Sequence, residues 1–200
     1  MYKFIGKHLK NPKGFAGVII LKFLNSHNRE MYNETHKLLK ISDNHTVLDI
    51  GCGNGQMLKL LAQKSAAKFY GIDISRSILR SAARKNGKYI KSGKLNLEVG
   101  SVDKIPFESE TFSTIFTINT VYFWQDLAAA MAEIKRVLKP GGIFINALYT
   151  NETLHKLPHT KIGYNFHSRE KLVNLAQNFG LEVAVVPIMD NAAYCIVCKK

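Results

Sequence analysis

The chain has 200 residues, 46% of them hydrophobic and 22% charged, with a formal net charge of +13. Such a length and balance fit one α/β domain with a true core and leave no room for a second large one. No apolar run approaches the roughly 20 residues that a membrane span needs, the three cysteines are too few and too odd a set for a disulfide framework and fit a reducing cytoplasm, and the basic charge raises nucleic acid and anionic membrane as partners.

Residues 1–14 are basic and carry Pro12 and two glycines, which predicts a loosely structured start. Phe15–Leu24 reads as a short amphipathic or buried helix; after four lysines it imitates a secretory signal but lacks a small-residue cleavage site. A second helix is expected over Asn28–Lys40, capped from Asn25-Ser26, and Ser42-Asp43-Asn44 reads as a turn. The continuous apolar stretch Thr46–Ile50 predicts a strand buried on both faces. A helix over Met57–Lys64 and a strand over Lys68–Ile72, ending at Asp73, follow. Ser75 is placed to cap a helix over Arg76–Asn86, with Gly87 to end it. Alternation predicts a strand over Leu95–Val99, and Thr114–Ile118 reads as the next. Leu127–Leu138 is a helix pattern stopped by Pro140-Gly141-Gly142, and Ile143–Leu148 is a strand. Residues 149–166 show no clear period and read as loop or short helix. Ser168 caps a helix running to Phe179, Gly180 closes it, and Leu181–Ile188, Met189-Asp190-Asn191 and Ala193–Val197 form an antiparallel hairpin.

Strands alternating with helices predict a Rossmann-like, mostly parallel sheet with helices on both faces, and the C-terminal hairpin adds an antiparallel edge. Cys195 and Cys198 form a C-x-x-C spacing, but three places apart on a strand they point to opposite faces. No second Cys or His pair completes a metal site, so none is expected. Arg76, Arg80, Arg84 and Lys88 recur every fourth residue, one stripe of a helix, read here as a solvated face.

The stretch Val47-Leu48-Asp49-Ile50-Gly51-Cys52-Gly53-Asn54-Gly55 runs a buried strand into three glycines at alternate positions and then into a helix, the arrangement of a nucleotide cradle. Asp73 at the next strand tip suits a ribose diol, and Gly100-Ser101-Val102 at the third tip suits a nucleobase edge. Dinucleotide and S-adenosylmethionine both fit. The third glycine falls one place early for the dinucleotide fingerprint, with Gln56 in the expected position, and Asp49 before the turn suits a cationic ligand.

On these residues, together with Gly71-Ile72-Asp73-Ile74-Ser75, Ile105-Pro106-Phe107 and Arg136-Val137-Leu138-Lys139-Pro140-Gly141-Gly142, the chain resembles a class I S-adenosylmethionine-dependent methyltransferase, of the small-molecule type related to the quinone-biosynthesis C-methyltransferases. The resemblance covers about residues 46 to 148. It implies a seven-stranded sheet with the last strand antiparallel beside the fifth. It implies S-adenosylmethionine as cofactor, with Gly51, Gly53 and the rest of the turn to Gly55 along the methionine moiety and Asp49 supporting it. Asp73 would hold the ribose, Ile74 would pack on the adenine, Ser101 and the Val102 amide would meet its edge, and the Asn119 carbonyl would lie near the amino group. Relatives carry an acid where this chain has Ser101, and Asp103 stands two places late; an acid is also missing at Ser113.

Methyl transfer from a sulfonium needs alignment and water exclusion, with a base only where the acceptor must lose a proton. Asn119-Thr120-Val121-Tyr122 lacks the two prolines of enzymes that methylate exocyclic amines, and Tyr122-Phe123-Trp124 predicts an apolar wall suited to a small, partly apolar acceptor. Candidate bases are Tyr122, first by position, then His27, His155, His159 and His167. Expected divisions within one 1–200 domain are a helical lid over residues 1–40, a cofactor core over 46–148 and an acceptor side over 149–200. RNA or protein methylation, and a non-catalytic cofactor-binding module acting through a partner, are the alternatives. Peripheral membrane contact through the basic N-terminal segment is a further one, and the sequence leaves the oligomeric state open.

Overall fold

The computed structural model describes residues 29–157, 160 and 163–200. The expected helix at Phe15–Leu24, and His27 and His159, lie outside them.

Seven strands form one sheet: β1 (Thr46–Ile50), β2 (Lys68–Asp73), β3 (Leu95–Val99), β4 (Phe112–Ile118), β5 (Leu138–Tyr149), β6 (Glu182–Ile188) and β7 (Ala193–Lys199). Their order is β3-β2-β1-β4-β5-β7-β6. β1 to β5 pair in parallel, and β7 enters antiparallel between β5 and β6. The helices are α1 (Arg29–Leu39), α2 (Gln56–Lys64), α3 (Arg76–Lys85), α4 (Gly87–Lys91), α5 (Leu127–Val137), α6 (Asn151–Lys156) and α7 (Arg169–Asn178). The strand order reverses between β1 and β4, and that reversal opens a crevice at the carboxyl ends of the strands.

Alternation along the strands feeds two cores. In β1, Leu48 and Ile50 join Met131, Ile134, Leu172 and Ala176 of α5 and α7, while Val47 joins Met31, Leu39, Leu58, Leu61 and Leu79 of α1, α2 and α3. Helices on both faces explain why β1 reads as one apolar run. Cys195 and Cys198 divide between the same two cores, as a spacing of three on a strand requires, and burial pushes their thiols up to about 11 and about 12.

Three local expectations need correcting. Gly87 does not end the basic helix: α3 stops at Lys85 and Gly87 starts α4, with the left-handed turn falling at Gly93 (φ 72°). The Ser75 hydroxyl bonds the Ser77 hydroxyl instead of capping α3. Pro140-Gly141-Gly142 does not terminate a helix that has already ended at Val137; it forms an irregularity inside β5, between the pairs Phe112–Leu138 and Thr114–Ile143. By contrast, Ser168 does cap α7 as expected, and Asp126, which is not among the expected caps, caps α5 through its side-chain oxygen. Arg136 ties two of the sequence motifs together, donating to the carbonyls of Phe107 (2.8 Å) and Ile105 (3.0 Å) and to the Glu133 carboxylate. Pro106 also packs against Gly100, where an added Cβ would come within 2.8 Å of its ring.

Candidate cofactor site

The β1–α2 turn is built by three left-handed glycines, Gly51 (φ 71°), Gly53 (φ 54°) and Gly55 (φ 68°). They differ in what they face. A Cβ on Gly51 would come within 2.5 Å of Thr120 Cγ2, and one on Gly55 within 2.6 Å of Asn86 Nδ2, whereas one on Gly53 would meet nothing within 4 Å. Gly51 therefore admits the segment after β4, Gly55 admits the Asn86 side chain, which donates to its carbonyl (3.1 Å), and Gly53 faces open space. Of the three, Gly53 presents backbone to a ligand most directly.

Asp73 connects this turn to α3. Its carboxylate accepts from Gly53 N–H (3.1 Å) and from Ser75 N–H (2.9 Å), while Gly51 and Cys52 N–H both donate to the Ile72 carbonyl. Asp49 is 4% exposed at the end of β1. Burial pushes its carboxyl well above the ordinary carboxylate range, and the Asp73 charge adds to the effect. Asp73 is raised too, by burial, against the two N–H groups that favour its charge. Among the described residues neither carboxyl is in an ion pair. Two crowded carboxyls without a cation make a site that a positively charged ligand would relieve. Cys52, between them, is a buried thiol whose pKa is raised by burial and by both acids, so it stays protonated and fills space.

Beside Asp73 the surface is apolar and uncovered. Ile74 is 52% exposed and Val99, the register partner of Asp73, is 48% exposed. Two exposed aliphatic side chains next to a ribose-sized acid make a shelf for a flat base. At its rim the Ser101 hydroxyl donates to the Asp103 carboxylate, which brings the late acid onto the serine. Val102 lies half-buried against the core.

The β4 end contributes Asn119, held left-handed (φ 58°), with its N–H donating to the Ala147 carbonyl. Tyr122 lies in a short 3-10 turn (Val121–Phe123) and is buried. Its hydroxyl donates to Asn119 Oδ1 (3.2 Å) and accepts from Tyr149 N–H (2.7 Å). Burial drives its pKa still higher. A phenol committed in both directions is a brace between the ends of β4 and β5, not a proton acceptor, and the expectation of Tyr122 as a base is revised accordingly. Trp124 is also buried, with Nε1 donating to Thr120 Oγ1, so it packs instead of lining a pocket.

The aperiodic stretch 149–166 supplies residues that sequence reasoning missed. Tyr164 stacks on Tyr122 (5.2 Å) and meets Phe123 edge-on (4.8 Å), and Asn165 N–H donates to the Tyr122 carbonyl. His155 stacks flat on Phe166 (4.7 Å). His167 is held toward its neutral form by burial and by Lys171. Nothing in local pattern marks Tyr164 or Asn165, because their role comes from the loop folding back over the 3-10 turn. Among the described residues no group of three His, Cys, Asp or Glu side chains is placed to hold a metal.

A family model described as a methyltransferase domain matches residues 48–146. Residues 48–146, which run from within β1 into β5, are thus similar to a methyltransferase domain. It is 33% identical over 114 residues to the putative methyltransferase YrhH of Bacillus subtilis, covering 56% of this chain and 62% of that one. It is 29% identical over 157 residues to the sterol 4-C-methyltransferase strm-1 of Caenorhabditis elegans, covering 72% and 47%. The geranyl diphosphate C-methyltransferase of Streptomyces coelicolor, solved with S-adenosyl-L-homocysteine, superposes with a TM-score of 0.72 at 14% identity, over 84% of this chain and 76% of that one, and so shares the fold. The chain spans between 30% and 62% of the length of the curated relatives it matches. The crevice residues fit this methyltransferase cofactor: carboxyls at Asp49 and Asp73, an open glycine at Gly53, and the aliphatic shelf.

Proposed function

We propose that the chain transfers a methyl group from S-adenosylmethionine to a small, partly apolar acceptor by in-line displacement. The observation that carries this reading is the buried Asp49 carboxyl and the half-buried Asp73 carboxyl beside an open glycine turn, with no cation of the described chain in an ion pair with either. The cofactor supplies a methyl on a sulfonium, whose leaving group is a neutral thioether. Asp49 sits where a positive charge is favoured, Asp73 accepts from the ribose hydroxyls, and Ile74 with Val99 supports the base. Ser101 and Val102 meet the base edge, and the Asn119 carbonyl receives the ammonium. Tyr122 fixes Asn119 against the start of the acceptor side, while Phe123 and Tyr164 wall that side and exclude water.

The sterol and geranyl diphosphate methyltransferases among the similar proteins favour a small acceptor with apolar surface, and a ring of the quinone-precursor type fits an aromatic wall. The three free cysteines favour a reducing cytoplasm as its setting. Residues 1–24 are proposed as a lid. Within the described residues, Glu30 at the start of α1 lies close enough to Tyr149 at the end of β5 to add to the burial that raises its phenol. Deleting residues 1–24 should weaken cofactor binding without melting the sheet, and unchanged affinity would refute the lid. The function is tested by transfer of labelled methyl from S-adenosylmethionine into a metabolite extract: label in a small apolar fraction supports it, and label confined to protein or RNA overturns the small-acceptor reading.

A further inference from the structure

The positive charge of this chain is concentrated. Residues 76–94 hold seven Lys and Arg and no Asp or Glu, and residues 1–28 hold five lysines and no acid. Everything else balances to within one charge, 16 cations against 15 acids. The first of these regions is α3, α4 and the turn after them. Arg76, Arg80, Arg84, Lys88 and Lys91 are all exposed, and none is in an ion pair among the described residues. Lys85 and Lys94 are excluded from the stripe, because they donate to Gln56 Oε1 and to the Ala62 carbonyl.

A merely solvated face does not take this form. Like charges four apart on a helix repel, and the ordinary surface solution alternates Glu with Lys. A cation in the first turn also opposes the helix dipole, and α3 begins with Arg76 and has no acid in that turn. The choice of cation is biased as well. Three of the chain's six arginines are Arg76, Arg80 and Arg84, in a protein that otherwise prefers lysine. Guanidinium forks bind phosphate oxygens in bidentate fashion, which ammonium groups do not.

We infer that the outer face of α3 and α4 is a docking surface for the phosphate backbone of a nucleic-acid duplex. Successive arginines rise about 6 Å along the helix, so the three span about 12 Å, the axial length of roughly three to four nucleotides on one strand. The apolar residues of α3, Ile78, Leu79 and Ala82, are buried against the sheet. Its outer face thus offers no large apolar side chain to enter a membrane and no aromatic on which single-stranded bases would stack. Contact through phosphates alone implies binding without sequence preference. This inference does not depend on the methyl acceptor.

The test compares the full chain with Arg76→Gln/Arg80→Gln/Arg84→Gln in binding to a 20-base-pair duplex, a 20-nucleotide single-stranded RNA and phosphatidylserine vesicles, across 50–200 mM salt. Wild type should bind the duplex best, and the triple variant should flatten the slope of log affinity against log salt by about 2.7, at about 0.9 per phosphate contact. Over that salt range the difference amounts to about a 40-fold change in relative affinity. The variant should melt no lower than wild type, since repulsion is removed. A second variant, with Lys3, Lys7 and Lys10 changed to Gln, serves as the charge-matched control. Equal slopes in wild type and triple variant, loss of binding only in the lysine variant, tighter capture by single-stranded RNA, or stripe-dependent capture by vesicles alone would each overturn the inference.

Discussion

Replacing Asp49 by Asn separates what the carboxyl does for folding from what it does for the ligand. The residue is 4% exposed, and Asp73 repels its charge. A carboxyl with a raised folded pKa binds its proton more tightly in the native than in the unfolded chain. Its contribution to stability is therefore fully present below the unfolded value of 3.8 and is lost as pH rises through the folded value. Asp73, also raised, acts with the same sign. Above the unfolded value, keeping this acid buried is a cost to the empty protein, and at neutral pH Asp49→Asn should stabilise it by about 1–3 kcal/mol, the scale of burying an uncompensated polar group. For a chain of this size that is a rise in melting temperature of roughly 2–10 °C. The same change should weaken S-adenosylmethionine binding, because the positive ligand favours the ionised acid. Donor affinity in the wild type should correspondingly rise with pH through that titration and release a proton. Thermal melts at pH 4.5 to 8, with calorimetry in two buffers of different ionisation enthalpy, measure both. A variant that melts lower at pH 7.5, or binds the donor as tightly as wild type, refutes the reasoning.

Two further changes test the surrounding frame. Tyr122→Phe removes the buried hydroxyl that donates to Asn119 Oδ1 and accepts from Tyr149 N–H, so stability should fall by about 1–3 kcal/mol while the pH profile of methyl transfer keeps its shape; a lost alkaline limb would restore Tyr122 as a base. Gly51→Ala drives a Cβ to 2.5 Å from Thr120 Cγ2 at φ 71°, and should cost about 2–3 kcal/mol in denaturant unfolding. Gly53→Ala meets no atom within 4 Å, so its stability cost should be about 1 kcal/mol, with a larger loss in ligand affinity. Equal ratios of stability loss to affinity loss in the two glycine variants would remove the distinction drawn between them.

Much of the architecture was legible because the signals are local and redundant. An unbroken apolar β1, glycines every second residue and an acid at the tip of β2 each demand a specific backbone, and they agree. The seven-stranded order with β7 inserted beside β5 came from the family resemblance, and the pairing bears it out. Errors arose where a residue with two roles was assigned the more common one. Gly87 starts a helix turn, Ser75 gives its hydroxyl to Ser77, and Pro140-Gly141-Gly142 bends a strand. In the crevice, Asp49 and Asp73 from neighbouring strands lie close enough to interact, but Tyr122 joins Asn119 after β4 and Tyr149 of β5 through its hydroxyl and Tyr164 through its ring. No periodicity records such a long-range convergence. The pairing of Ser101 with Asp103 was likewise hidden, since its two-residue offset becomes a contact only through the bend after β3.

The central claim is that the glycine turn and Asp73 bind the adenosyl cofactor. Calorimetric titration of the full chain and of Asp73→Ala with S-adenosylhomocysteine tests it most directly. The wild type should bind one equivalent, and the variant should lose about 1–3 kcal/mol of binding free energy, the worth of its charge-assisted hydrogen bonds to the ribose. Absence of binding by the folded wild type, or equal affinity in the two proteins, would contradict it.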